Sequence, residues 1–111
     1  MNYKGIIIEE SLEQADVLKD VTIIETKVEA VTDKHKTPWL KQWTLHTVEI
    51  LENLADSIAK RLSTDLEKEH SWYADFKNER YHYIIYRGKV FKIDLQNPIL
   101  YRQAKQYGIS L

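Results

Sequence analysis

The chain has 111 residues, with 16 basic against 17 acidic side chains, a formal net charge of −1, and 43% hydrophobic, 11% aromatic and 30% charged residues. This is the composition of one globular domain spanning residues 1–111, and with only 3 Gly and 2 Pro it excludes a linker or collagen-like chain. With 0 Cys it also excludes disulfides, thiolate metal sites and cysteine nucleophiles.

No apolar run approaches the ~20 residues of a membrane span. The apolar stretch Ile6-Ile7-Ile8 ends at Glu9-Glu10, too short for the ~7–15 residues of an export signal, so a cytoplasmic location is expected.

Tyr3 to Glu9 reads as a first strand. Ser11-Leu12-Glu13-Gln14 has the capping-box pattern and predicts a helical turn over Leu12 to Leu18. Val21 to Val31 alternates in its second half, Thr26, Val28 and Ala30 against Glu25, Lys27 and Glu29, as a half-buried strand does. After the polar connection Thr32 to Pro38, Trp39 to Ile50 alternates again. Leu40, Thr44, His46, Val48 and Ile50 share one face, and Trp39, Trp43, Leu45 and Thr47 the other.

The spacing of Leu51, Leu54, Ala55, Ile58, Ala59, Leu62 and Leu66 predicts an amphipathic helix, with Asn53 as a cap and Lys60 in solvent. Three strands follow as a meander: Trp72 to Phe76, Arg80 to Arg87 and Val90 to Leu95. The connections Lys77-Asn78-Glu79 and Gly88-Lys89 are hairpin-short, so the strands are sequential antiparallel neighbours. The middle strand is apolar or aromatic on both faces. In the last one Phe91, Ile93 and Leu95 point to the core. A closing helix is punctuated by Asn97 as N-cap, Pro98 in the first turn and Gly108 at its end, with Leu100, Tyr101, Ala104 and Tyr107 as its apolar stripe. Together these elements predict an α+β domain, a largely antiparallel sheet of about six strands with two helices packed mainly on one face.

None of the four histidines has the close spacing of a zinc site, so neither a metal nor a cofactor is expected. His35 reads as a solvated loop residue. His46 and His82 lie on strands, and histidine–carboxylate constellations suited to general acid–base work can be drawn, His82 with Asp75 across a hairpin for example, as almost any chain of this size permits. The densest feature is aromatic: Trp72, Tyr73, Phe76, Tyr81, Tyr83, Tyr86 and Phe91 fall in one meander. Cross-strand aromatic pairs stabilise a sheet without further purpose. The same rings also suit a ligand or partner surface, each joining apolar area to a polar tip. Lys34-His35-Lys36 and Lys41 near Trp39 and Trp43 combine charge with stacking, as single-stranded nucleic-acid binders do, but the balanced net charge argues against that class.

The stretches Pro38-Trp39-Leu40-Lys41-Gln42-Trp43-Thr44-Leu45-His46-Thr47-Val48-Glu49, Trp72-Tyr73-Ala74-Asp75-Phe76-Lys77-Asn78, Tyr81-His82-Tyr83-Ile84-Ile85-Tyr86 and Lys89-Val90-Phe91-Lys92-Ile93-Asp94 resemble a small uncharacterised prokaryotic family of single-domain proteins. The resemblance runs over roughly the whole chain. It implies a free-standing soluble domain and brings no activity, cofactor or catalytic residue with it.

The leading expectation is a non-enzymatic binding domain, its partner a small molecule or a protein. Its contact residues are drawn from Trp39, Trp43, His46, Trp72, Tyr73, Asp75, Tyr81, His82, Tyr83 and Tyr86. The alternative is a small enzyme using His46 or His82 with Asp75, Glu79 or a tyrosine. A homodimer is also expected, because a middle strand apolar on both faces needs two covering layers. Pairing of two meander faces through Tyr81, Tyr83 or Tyr86 would supply the second; the alternative is that the C-terminal helix crosses to the other face and closes the domain as a monomer.

Overall fold

A computed structural model describes residues 1–32, 37–70, 72–97 and 99–110. The expectations placed on His35, on the Lys34-His35-Lys36 run and on Pro98 lie outside the described residues. Six strands, β1 (Tyr3–Ile8), β2 (Thr22–Ala30), β3 (Gln42–Ile50), β4 (Tyr73–Lys77), β5 (Tyr81–Tyr86) and β6 (Lys89–Asp94), form one antiparallel sheet in the order β2-β3-β1-β4-β5-β6. Two helices, α1 (Ala55–Asp65) and α2 (Ile99–Ser110), complete the α+β domain.

Cross-strand register assigns the two faces. Tyr3, Gly5 and Ile7 stand opposite Ile50, Val48 and His46, while Gly5 meets Phe76 and Phe76 meets Tyr83. This face carries the main core, where Tyr3, Ile7, Val48, Ile50, Phe76, Tyr83 and Ile85 are buried beneath Ala55, Ile58, Ala59 and Leu62 of α1. Val17 and Leu18, in a short 3₁₀ segment (Asp16–Asp20), extend the cover.

The helices do not share a face. Alternation sends His82, Ile84 and Tyr86 of β5 away from α1, and α2 packs there. The Tyr86 hydroxyl donates to the Ala104 carbonyl at 3.2 Å, and Tyr107 packs on Tyr86 and Phe91 with ring centroids 5.0 and 5.6 Å apart. The expectation that both helices pack mainly on one face is therefore corrected, and the second apolar face of β5 is closed from within the chain. Ile93 is fully buried, as expected, but under α2; Val90, on the other side of β6, is the residue that joins the main core.

Local signals met competing contacts. Ser11 does not cap: its hydroxyl donates to the Ile8 carbonyl at 2.6 Å inside a 3₁₀ turn (Glu9–Ser11). Leu12 bridges to Leu66, Glu13 N–H reaches the Asp65 carbonyl at 2.7 Å, and Glu67 N–H reaches that of Ser11 at 2.8 Å. These bonds hold Leu12 and Glu13 extended against the end of α1, so the helical turn expected over Leu12 to Leu18 forms only from Asp16, as the 3₁₀ segment Asp16–Asp20. A 3₁₀ turn (Glu52–Leu54) precedes α1, so neither Asn53 nor any other side chain caps it, and Leu51 is exposed. Asn97 does cap α2, its Oδ1 accepting Ile99 N–H at 3.2 Å. β2 is exposed along almost its whole length rather than half-buried, because it is an outer strand over which neither α1 nor α2 packs. The β5–β6 turn is Arg87-Gly88, one residue earlier than the sequence suggested, with Gly88 at φ 74° where only glycine sits without strain.

Candidate functional site

The sequence-singled residues fall into three separate places. At one end of the sheet, Trp39 stacks on His70 with centroids 3.7 Å apart, and Trp43 packs edge-on to Trp72 at 5.6 Å. Trp43 Nε1–H donates to Thr37 Oγ1 at 2.9 Å. Trp72 Nε1, buried, meets no acceptor among the described residues. These rings mainly satisfy one another, and only Trp39 is well exposed.

On the α1 face lie His46, Tyr81 and Tyr83. Tyr83 is part of the core, stacked on Phe76 at 4.7 Å, with its hydroxyl donating to Asp56. Burial and that carboxylate push its phenol pKa far up. Tyr81 is half-buried beneath Lys92, whose ammonium sits 4.5 Å from the ring centroid. His46 is 7% exposed and held at both nitrogens: Nδ1 is 2.9 Å from Thr26 Oγ1 and Nε2 3.1 Å from Glu9 Oε1. An ionised carboxylate only accepts, so in the neutral ring Nε2 carries the proton and Nδ1 accepts from the Thr26 hydroxyl.

The third place is the face under and beside α2, and it gathers Tyr73, Asp75, His82 and Tyr86. His82 Nε2 lies 2.7 Å from Asp75 Oδ2, a pairing that the hairpin spacing allows. Its Nδ1 lies 2.7 Å from the hydroxyl of Tyr101 on α2. By the same acceptor argument Nε2–H donates to Asp75 and Tyr101 O–H donates to Nδ1. Tyr86, a strand neighbour of Tyr73, is buried under α2, and burial raises its phenol pKa. Tyr73 itself is 60% exposed, and Ile6, opposite Asp75 on β1, is 50% exposed.

The reason is geometric. α2 is anchored over β5 and β6, while β4 and β1 continue beyond it with their outward side chains uncovered. The result is a step: a wall carrying Tyr101, and a floor of Tyr73, Asp75, His82 and Ile6. Ile6 and Tyr101 were not singled out from sequence as site residues. Tyr101 belongs to the expected helix stripe, but nothing local marks the sheet face that stripe meets.

Among the described residues no group of three His, Asp or Glu side chains gathers to hold a metal ion. An open depression lined by Gln14, Asp16, Lys60, Arg61, Thr64 and Asp65 lies apart from all of these aromatics. No described helix is long and apolar enough to cross a membrane. No protein-family model, curated protein or solved structure matches this chain.

Proposed function

We propose that this chain is a non-enzymatic binding domain whose contact surface is the step beside α2. One observation carries the reading: α2 covers only the β5–β6 side of its face and leaves Tyr73 and Ile6 open on the adjoining strands. Exposed aromatic and aliphatic groups next to an ordered polar cluster are what a contact surface needs, apolar area for affinity and a few fixed polar atoms for orientation. The Asp75 carboxylate, about half exposed and held by His82, supplies a fixed negative charge on that floor. The ligand it suits is a small molecule or protein side chain joining an apolar or aromatic body to a hydrogen-bond donor or cation.

The acid–base alternative has less support. Both ring nitrogens of His46 and of His82 are engaged by the protein's own groups, which leaves neither ring a vacant nitrogen for a substrate.

Amide and methyl chemical-shift mapping with benzylamine and tryptamine as probes tests the proposal. The expected result is a saturable set of shifts confined to Ile6, Tyr73, Asp75, His82 and Tyr101, weakened in Asp75→Asn. No shifts there at ~10 mM probe, a range that reveals millimolar affinity, or shifts centred elsewhere, would overturn it.

A further inference from the structure

β2 is the outermost strand of the sheet, nine residues long and exposed on both sides, with Ile24 and Val28 open to solvent, Val28 at 57%. A strand edge of this length presents a row of main-chain donors and acceptors that another strand can satisfy. We propose that it pairs with β2 of a second copy of this chain, antiparallel and centred on Val28, so that the two sheets become one.

The phase of the edge follows from one hydrogen bond. Val31 N–H is turned inward to the Lys41 carbonyl at 3.0 Å, just beyond the end of β2. Main-chain groups alternate along a strand, so Lys27 and Glu29 also bond inward to β3, and the N–H and C=O groups of Thr26, Val28 and Ala30 point to the open edge. The register of β2 on β3 is regular from Glu25 to Ala30 and irregular only between Ile23 and Glu25. The usable edge is therefore the stretch after the irregularity.

A two-fold axis that joins identical edges antiparallel stands perpendicular to the sheet and keeps each face on its own side. One residue then lies opposite itself, and on either side of it same-face residues lie opposite each other. Centring on Val28 sets Thr26 opposite Ala30, Val28 against Val28 and Lys27 opposite Glu29. All of these residues lie in the regular stretch, and the three outward-facing positions meet outward-facing positions. Lys27 and Glu29 already sit 3.4 Å apart within one strand, so the symmetry extends that pair into an alternating ring of four charges. The three centres next to it along the regular stretch are less favourable in charge or geometry. Lys27 at the axis would face Lys27, with Glu25 opposite Glu29. Glu29 at the axis would face Glu29. Thr26 at the axis would place the irregular Ile24 in the pairing.

This dimer differs from one formed by meander faces. Tyr83 and Tyr86 are buried within their own chain and are not available as central contacts. The proposed contact is also small, which makes it a reversible pairing.

Sedimentation equilibrium at ~100 µM, above the concentration that fills a micromolar complex, should give the mass of two chains. Val28→Pro deletes an N–H that the subunit's own sheet does not use, so it should give the mass of one chain with an unchanged circular dichroism spectrum. Because the chain has no cysteine, Val28→Cys provides a register test. Directly opposed residues have Cα atoms ~5.5 Å apart, within disulfide reach, so oxidation should link Val28→Cys into dimers. Lys27→Cys, which faces Glu29 on the other side of the sheet, should stay unlinked. A single-chain mass for the native protein at that concentration, a dimer indifferent to Val28→Pro, or equal cross-linking of the two cysteine variants would each overturn the proposal.

Discussion

The Tyr86 hydroxyl occupies the space where a side chain on Gly108 would begin: a Cβ at Gly108 would lie 2.6 Å from that oxygen. Gly108 therefore does not end α2, which runs on to Ser110; it is a helical residue kept bare by close approach to the sheet. In an open helix Gly→Ala adds roughly 0.5–1 kcal/mol. Here the hydroxyl is tied to the Ala104 carbonyl and the ring is packed by Tyr107, so it does not swing aside cheaply. Gly108→Ala should destabilise the protein in urea denaturation, and the penalty should shrink in a Tyr86→Phe background. An ordinary stabilising effect in both backgrounds would refute the contact.

Gly5 should tolerate no side chain. A Cβ there would lie 2.3 Å from the Asp75 carbonyl oxygen and 2.7 Å from the Phe76 Cβ, and the main chain of β4 has no slack to give. Forced overpacking of a tight core costs about 1–3 kcal/mol. Gly5→Ala should show at least that loss by chemical denaturation, along with weakened protection of the β1–β4 amides.

Leu62 is fully buried where α1 meets the core, and Lys60 on the same helix is exposed. Leu62→Ala should cost about 2–5 kcal/mol, and Lys60→Ala should fall within about 0.5 kcal/mol of the parent. Equal effects in urea titrations would mean that α1 presents a different face.

Alkaline titration should reveal Tyr83. Burial, then the bond to Asp56, raises its phenol pKa in the folded state above the unfolded value of 10.0. Above that pH the unfolded chain loses this proton and the folded chain keeps it, so the folded state binds more protons and stability falls as pH rises. The contribution is intact below pH ~10 and declines above it, by at most about 1.4 kcal/mol per pH unit for one group. Tyr83→Phe should flatten the decline between pH ~9.5 and ~11. Part of the slope should remain, because burial raises Tyr86 as well.

The order of elements was legible because strand alternation and turn residues are local signals. Asp75 with His82 was one of several histidine–carboxylate pairings the sequence allowed, and the short hairpin connection puts both side chains on one face, where they meet. What stayed hidden depends on contacts distant in sequence. The stripe of Leu100, Tyr101, Ala104 and Tyr107 fits either face of a sheet equally well, so the side chosen by α2, and with it the open step at Tyr73 and Ile6, could not be read. The alternation of Glu25, Lys27 and Glu29 with Thr26, Val28 and Ala30 marks a strand but does not distinguish a half-buried one from an edge. Ser11 carried a sound capping pattern, which lost to the bonds that hold its neighbours extended against α1.

The sheet is also a partition. Tyr86, Ile93 and Ala104 lie on the far side from the main cluster of buried side chains and do not belong to it. Among the described residues α2 therefore rests on a separate foundation that includes the Tyr86, Phe91 and Tyr107 rings, the hydroxyl bond to Ala104 and the Tyr101 link to His82. Such a helix detaches as a unit at a lower free energy than global unfolding, leaving β1, β3 and α1 in place. Amide exchange in α2 should accordingly run ahead of exchange in the central strands. Each opening bares Tyr86, Phe91 and Ile93 beside Tyr73, briefly widening the apolar floor from two strands to four.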